Sequence, residues 1–193
     1  MPVNVPNLLT WLRIIAIPLL VVLFYLPDSW VRAHDKNLYA CVLFTAAAIT
    51  DWLDGYLARR LNQMSAFGAF LDPVADKLIV AVALIMLVKL GRVPDFIAVI
   101  IIGREITISA LREWMAKLGR AKSVAVNFLG KIKTVAQLVA IPMLLYHDRI
   151  GVWFDPQQVG TWLIYLAAAL TIVSMAYYLK LAGPHAFGGG GRA

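Results

Sequence analysis

Residues 51–60 read DWLDGYLARR and residues 66–77 read AFGAFLDPVADK. Each stretch sets carboxylates at the end of a long apolar run, one reaching back to about residue 37 and the other forward to about residue 90. Asp51 and Asp54 stand i, i+3 and Asp72 and Asp76 stand i, i+4, so each pair shares one face of a helix. The link between the two runs is short, which makes the helices antiparallel neighbours. Four carboxylates then converge in a small volume, where they repel one another unless cations neutralise them.

The rest of the chain explains where such a cluster could sit. Of 193 residues, 61% are hydrophobic and 15% charged, against roughly half and a quarter in soluble domains. The mean hydropathy of +0.76 agrees, and the composition is that of a bilayer protein. The single cysteine, Cys41, excludes an intrachain disulfide and reads as a small packed residue. A net charge of +7 fits the Lys and Arg excess of cytoplasmic loops beside anionic lipid, rather than nucleic-acid binding. Residues 1–7 hold no Lys or Arg, so the first apolar run reads as a retained span and not a secretory signal.

Six apolar stretches, at about 7–27, 37–60, 67–90, 94–116, 123–147 and 157–182, approach the roughly 20 residues needed to cross about 30 Å of hydrocarbon. The expectation is an all-α, polytopic membrane protein with six transmembrane helices, one domain over 1–182 and a flexible Gly-rich tail over 183–193. Pro18 and Pro142 fall inside spans, where bilayer helices tolerate kinks. Most basic residues lie on the side that holds both termini, which places the termini in the cytoplasm. With alternating helix directions, the polar ends of spans two to five (Asp51 and Asp54; Asp72 and Asp76; Arg104, Glu105 and Arg112; Lys131 and Lys133) fall on that same side. Charges at membrane depth face a cavity or each other. The expected result is one cytoplasm-facing chamber, acidic on one wall and basic on the other.

An all-oxygen cluster without nearby His or Cys suits a hard cation, Mg²⁺ or Mn²⁺. The competing reading is a buried ion-pair network using Arg59, Arg60 and Lys77. His34, His147 and His185 lie elsewhere in the chain. Gly55, Ala58 and Gly68, set around the aspartates, would let a ligand approach the helices closely, or would serve helix packing.

The pattern D-x2-D-G-x2-A-R-x8-G-x3-D-x3-D, met here at all eight fixed positions, resembles the signature of the CDP-alcohol phosphotransferase family. That resemblance implies six transmembrane helices, a homodimer and a two-metal site held by Asp51, Asp54, Asp72 and Asp76, with Asp76 also the general base. It implies that Gly55, Ala58, Arg59 and Gly68 line the CDP moiety, with Asn7 and Thr10 approaching it from the first helix.

The signature specifies the donor class and leaves the acceptor to the basic wall. Arg forks bind phosphate bidentately and Lys acts as a point charge, so Arg104, Arg112, Lys131 and Lys133 suggest an acceptor that carries its own phosphate. Snorkelling to headgroups suffices for Lys117, Arg120 and Lys122. Further stretches, including Asn7-x-x-Thr10-x-x-Arg13, Gly103-Arg-Glu-Ile and Gly130-Lys-x-Lys-Thr134-x-x-Gln137, resemble the bacterial branch of the family that makes phosphatidylglycerophosphate. The resemblance covers about residues 3–182. It implies transfer of a phosphatidyl group from CDP-diacylglycerol to glycerol 3-phosphate in the bacterial inner membrane, with CMP released, on the way to phosphatidylglycerol and cardiolipin. Acyl chains would leave the chamber sideways into the membrane lipids. Phosphatidylglycerol or inositol phosphate are alternative acceptors. An ion-coupled transporter and an assembly subunit are readings of other classes, and both require that metal-dependent transfer be absent.

Overall fold

In the computed structural model residues 5–61, 66–117, 128–151 and 153–187 are described. Each apolar run becomes one helix: α1 Val5–Tyr25, α2 Ala33–Leu61, α3 Ala66–Lys89, α4 Asp95–Lys117, α5 Phe128–Tyr146 and α6 Pro156–Phe187. No strand occurs among the described residues beyond an isolated bridge between Ile150 and Phe154. The helices continue through Pro18, Pro73 and Pro142. α2 begins ahead of its apolar run because Ala33–Lys36 add a polar first turn. α6 covers residues 183–187 of the segment expected to be a tail, and 188–193 lie outside the described residues.

Turn chemistry separates the helices. Gly91 takes φ +68°, with Arg92 N–H bonded to Leu87 O and Gly91 N–H to Val88 O, both at 2.9 Å. This pair of bonds is the Schellman ending that a left-handed glycine permits, and Pro94 follows before α4. Asp155 caps α6: its Oδ1 accepts from Gln158 N–H at 3.2 Å, with Pro156 in the first helical position, where its missing N–H costs nothing.

α5 packs most extensively on α6. α1 lies against α2 and α3, α2 against α5, and α4 against α6. The seams use small residues. Ala40, Ala83, Ala140 and Ala167 are fully buried, and a Cβ on Gly160 would lie 2.9 Å from Leu144 Cγ and 3.2 Å from Ala140 O. Such contacts let helix backbones approach closely. Leu20, Phe44, Leu84, Ile101 and Leu144 fill the common core.

Outer faces are apolar. On α1, Leu12, Ile15, Leu19 and Val22 are all about half exposed. Pro156–Lys180 is long and apolar enough to cross a membrane, and Leu9–Tyr25 is apolar but shorter.

The end of the bundle away from the aspartates is latched by polar groups. Arg92 donates to Leu144 O at 3.1 Å, Leu145 O at 2.7 Å and Asn37 Oδ1 at 2.7 Å, which satisfies the last carbonyls of α5. His34 Nδ1 lies 2.8 Å from Asp148 Oδ2. His147 ends α5 with φ 61°. His185 falls in α6, and its side chain lies outside the described set.

Candidate active site

α1 carries Thr10 and Arg13 three residues apart, hence on one helical face, and both are buried. Thr10 Oγ1 donates to Asp72 Oδ1 at 2.5 Å. Arg13 Nη1 donates to Asp76 Oδ1 at 2.6 Å. The pairs run in the same order along both chains, so α1 and α3 are parallel. The same Arg13 nitrogen lies 3.3 Å from Asp51 Oδ1 on α2. One cation thus joins carboxylates from α2 and α3, which brings Asp51 and Asp76 together. A guanidinium at 1% exposure is sustainable only because it is paired.

Asn7 on α1, and Asp54, Ala58 and Arg59 on α2, have side chains outside the described residues, as do the surroundings of Gly55 on α2. Gly68 is buried on α3. Among the described residues no three His, Cys, Asp or Glu side chains group closely enough to hold a metal ion. The donor chemistry nonetheless fits a hard cation. The acids that α1 gathers, Asp51, Asp72 and Asp76, offer only oxygen donors.

The basic residues divide. Lys133 is 2% exposed and ion-paired with Glu105. Arg104 Nη1 lies 3.3 Å from the same Glu105 oxygen, and its Nη2 donates to Ser174 Oγ at 3.3 Å. Arg112 Nη2 donates to Tyr178 Oη at 3.4 Å. The Arg104 and Arg112 guanidinium carbons sit 5.8 and 5.5 Å from the Tyr178 ring centre, within cation–π range. These two arginines are thus seated at the α4–α6 seam beside the buried Ile108 and Met115. Lys131 is exposed.

A cavity of about 300 Å³ joins the two regions. Its polar lining includes Arg13, Asp51, Asp76, Lys77, Glu105, Lys133 and Gln137, and its apolar lining includes Phe44, Ile79, Val80 and Leu138. Such a space can hold a small polar molecule beside carboxylates able to accept a proton, with an apolar wall against which a lipid can lie.

The sequence model of the CDP-alcohol phosphatidyltransferase family matches residues 3–173. This chain belongs to the CDP-alcohol phosphatidyltransferase family. It is 49% identical over 184 residues to a protein of Salmonella choleraesuis (strain SC-B67), covering 94% of this chain and 96% of the relative. It is 48% identical, with the same coverage, to proteins of Shigella flexneri serotype 5b (strain 8401) and Escherichia coli (strain K12). All three bear the name CDP-diacylglycerol–glycerol-3-phosphate 3-phosphatidyltransferase.

In this CDP-alcohol phosphatidyltransferase, sequence reasoning overlooked two residues. Arg13 enters the sequence reading as a basic residue and as the end of the Asn7-x-x-Thr10-x-x-Arg13 stretch, without a role at the site, yet an arginine within an apolar helix is a site residue by default. Glu105 was read as a neighbour of Arg104, although it is the counter-charge of Lys133. Lys77, considered as a counter-ion of the aspartates, forms no ion pair among the described residues, and Arg13 takes that place.

Proposed function

We propose that this phosphatidyltransferase moves the phosphatidyl group of CDP-diacylglycerol to glycerol 3-phosphate, giving phosphatidylglycerophosphate and CMP. The observation that carries the reading is the meeting of Asp51 and Asp76 with Lys133 and Glu105 around one cavity. The end-to-end likeness to transferases of that name supports it.

Asp76 takes the proton of the acceptor's primary hydroxyl, as a positioned carboxylate can. The freed oxygen forms a bond to the phosphorus that bears the diacylglycerol, and the bond from that phosphorus to the CMP oxygen breaks. Arg13 and Thr10 hold Asp76 and Asp72 in place, which confines the base to one geometry. Asn7, Thr10, Gly55, Ala58, Arg59 and Gly68 form the CDP side. Lys133, with Arg104, Arg112 and Lys131, makes up the basic side that holds the acceptor phosphate. Two Mg²⁺ or Mn²⁺ ions held by Asp51, Asp54, Asp72 and Asp76 would neutralise the pyrophosphate and stabilise the leaving CMP.

The protein crosses the bacterial cytoplasmic membrane six times as a homodimer in this reading, with both termini and the cavity mouth on the cytoplasmic side. The apolar outer faces and the one-sided distribution of basic residues support it.

The test is an assay of the purified protein with labelled CDP-diacylglycerol and Mg²⁺, offering glycerol 3-phosphate, phosphatidylglycerol, inositol phosphate or glycerol. Labelled phosphatidylglycerophosphate from the first acceptor is expected. Product from another acceptor and none from glycerol 3-phosphate sinks the assignment.

A further inference from the structure

The cations of the cavity differ in how they are compensated. Arg13 is held by Asp51 and Asp76, and Lys133 is held by Glu105. Lys77 lines the same cavity from α3 and forms no hydrogen bond or ion pair among the described residues. Gln137 lines it from α5, is only 5% exposed, and its amide has no hydrogen-bond partner among the described residues. Lys77 is half-buried, and its ammonium keeps all three donors available to a molecule in the cavity. The Gln137 amide is open to the cavity, so its donor and acceptor are both available to a molecule bound there. Two such groups facing one space describe the complement of a ligand that has both an anion and a hydroxyl.

We propose that Lys77 and Gln137 form the acceptor subsite, Lys77 taking an oxygen of a phosphate monoester and Gln137 a hydroxyl of the same molecule. The proposal rests on the transfer reaction above and names residues outside the Arg104, Arg112, Lys131 and Lys133 set. Lys77 follows Asp76 directly, about 100° around the helix from it, and its charge acts on Glu105 as well. It therefore lines the same cavity as the carboxylate that takes the proton. A phosphate held there keeps the hydroxyl at the other end of a short acceptor within reach of Asp76. The Glu105 carboxylate would oppose an anion, but Lys133 and Arg104 already offset it.

Lys77→Met and Gln137→Leu keep side-chain length and remove charge or polarity. Loss of a hydrogen bond to a charged group raises the KM for glycerol 3-phosphate about tenfold or more. The KM for CDP-diacylglycerol stays within about twofold, and Lys77→Arg recovers part of the loss. A raised KM for CDP-diacylglycerol instead assigns Lys77 to the donor pyrophosphate and overturns the proposal. Unchanged KM values with only a smaller folded fraction overturn it as well. If Lys77→Met does not fold, Gln137→Leu and Lys77→Arg carry the same comparison. A second readout needs no turnover: glycerol 3-phosphate raises the melting temperature of the wild type in detergent, glycerol does not, and the variants lose the response. A wild type inactive with glycerol 3-phosphate overturns the reaction, while that melting response separately decides whether Lys77 and Gln137 bind the phosphate.

Discussion

Arg13 Nη1 lies 2.6 Å from Asp76 Oδ1 and 3.3 Å from Asp51 Oδ1, so a single buried guanidinium ties the first helix to both acidic helices. Removing one partner of a buried pair costs about 3–5 kcal/mol, and surface pairs cost under about 1. The carboxylates here are 44% and 38% exposed, which sets Arg13→Gln at about 1–2 kcal/mol of stability. The expected result is a lower melting temperature in detergent, with Mg²⁺ restoring more of it than in the wild type. An equal Mg²⁺ response in both proteins counts against Arg13 as counter-charge to the aspartates.

Asp76→Asn removes the proton acceptor and leaves the carboxamide in the same volume. Transferase activity is expected to fall by about 100-fold or more at saturating Mg²⁺. Asp51→Asn is expected to raise the Mg²⁺ concentration for half-maximal activity, and a chelator to abolish turnover of the wild type reversibly. Retained activity in Asp76→Asn assigns the base to another group.

Glu105 and Lys133 are coupled across α4 and α5. Each single neutral variant, Glu105→Gln or Lys133→Met, strands a charge in a poorly solvated place. The double variant strands neither. The melting series is expected to show the double less destabilised than the sum of the singles, a coupling of about 1–3 kcal/mol. Strict additivity means that the pair contributes nothing.

Gly160→Ala sets a methyl group 3.2 Å from the Ala140 carbonyl oxygen and 2.9 Å from Leu144 Cγ. Relief of glycine's unfolded-state entropy favours alanine by about 0.4–1 kcal/mol. Overpacking against a backbone atom costs about 1–3 kcal/mol and wins. The variant is expected to melt lower than the wild type, and a higher melting temperature refutes the close α5–α6 approach.

Asp155 has a carboxyl held below its ordinary value of 3.8 by the Gln158 backbone N–H first and by Arg149 after it. A depressed folded-state value contributes stability above the unfolded value, lost as pH falls through the lower folded one. The wild type is therefore expected to lose part of its thermal stability below pH about 4, and Asp155→Ala to lack that component. Parallel pH curves for the two proteins rule out this contribution.

Much of the architecture was legible because helices are locally periodic. The spacing of Asp51 and Asp54, and of Asp72 and Asp76, assigns each pair to one face whatever the surroundings, and apolar runs mark the helix ends to within about five residues. Relations between helices were not legible in that way. The sequence places Arg104 and Arg112 on the basic side, but that packing of α4 on α6 sets both beside the Tyr178 ring is a relation it does not show. Which faces of two helices meet depends on side-chain volumes far apart in the chain, such as Gly160 against Leu144.

The sequence by itself determined the six helices, the helical faces of the acids and the signature that places the chain in its family. Only the tertiary structure decided the charge pairing: Arg13 to Asp51 and Asp76, Lys133 to Glu105, and Lys77 facing the cavity with no ion pair among the described residues. The physical reason is range. Helix periodicity acts over a few residues, whereas ion pairs form between residues that packing brings together from 28 to 63 positions apart.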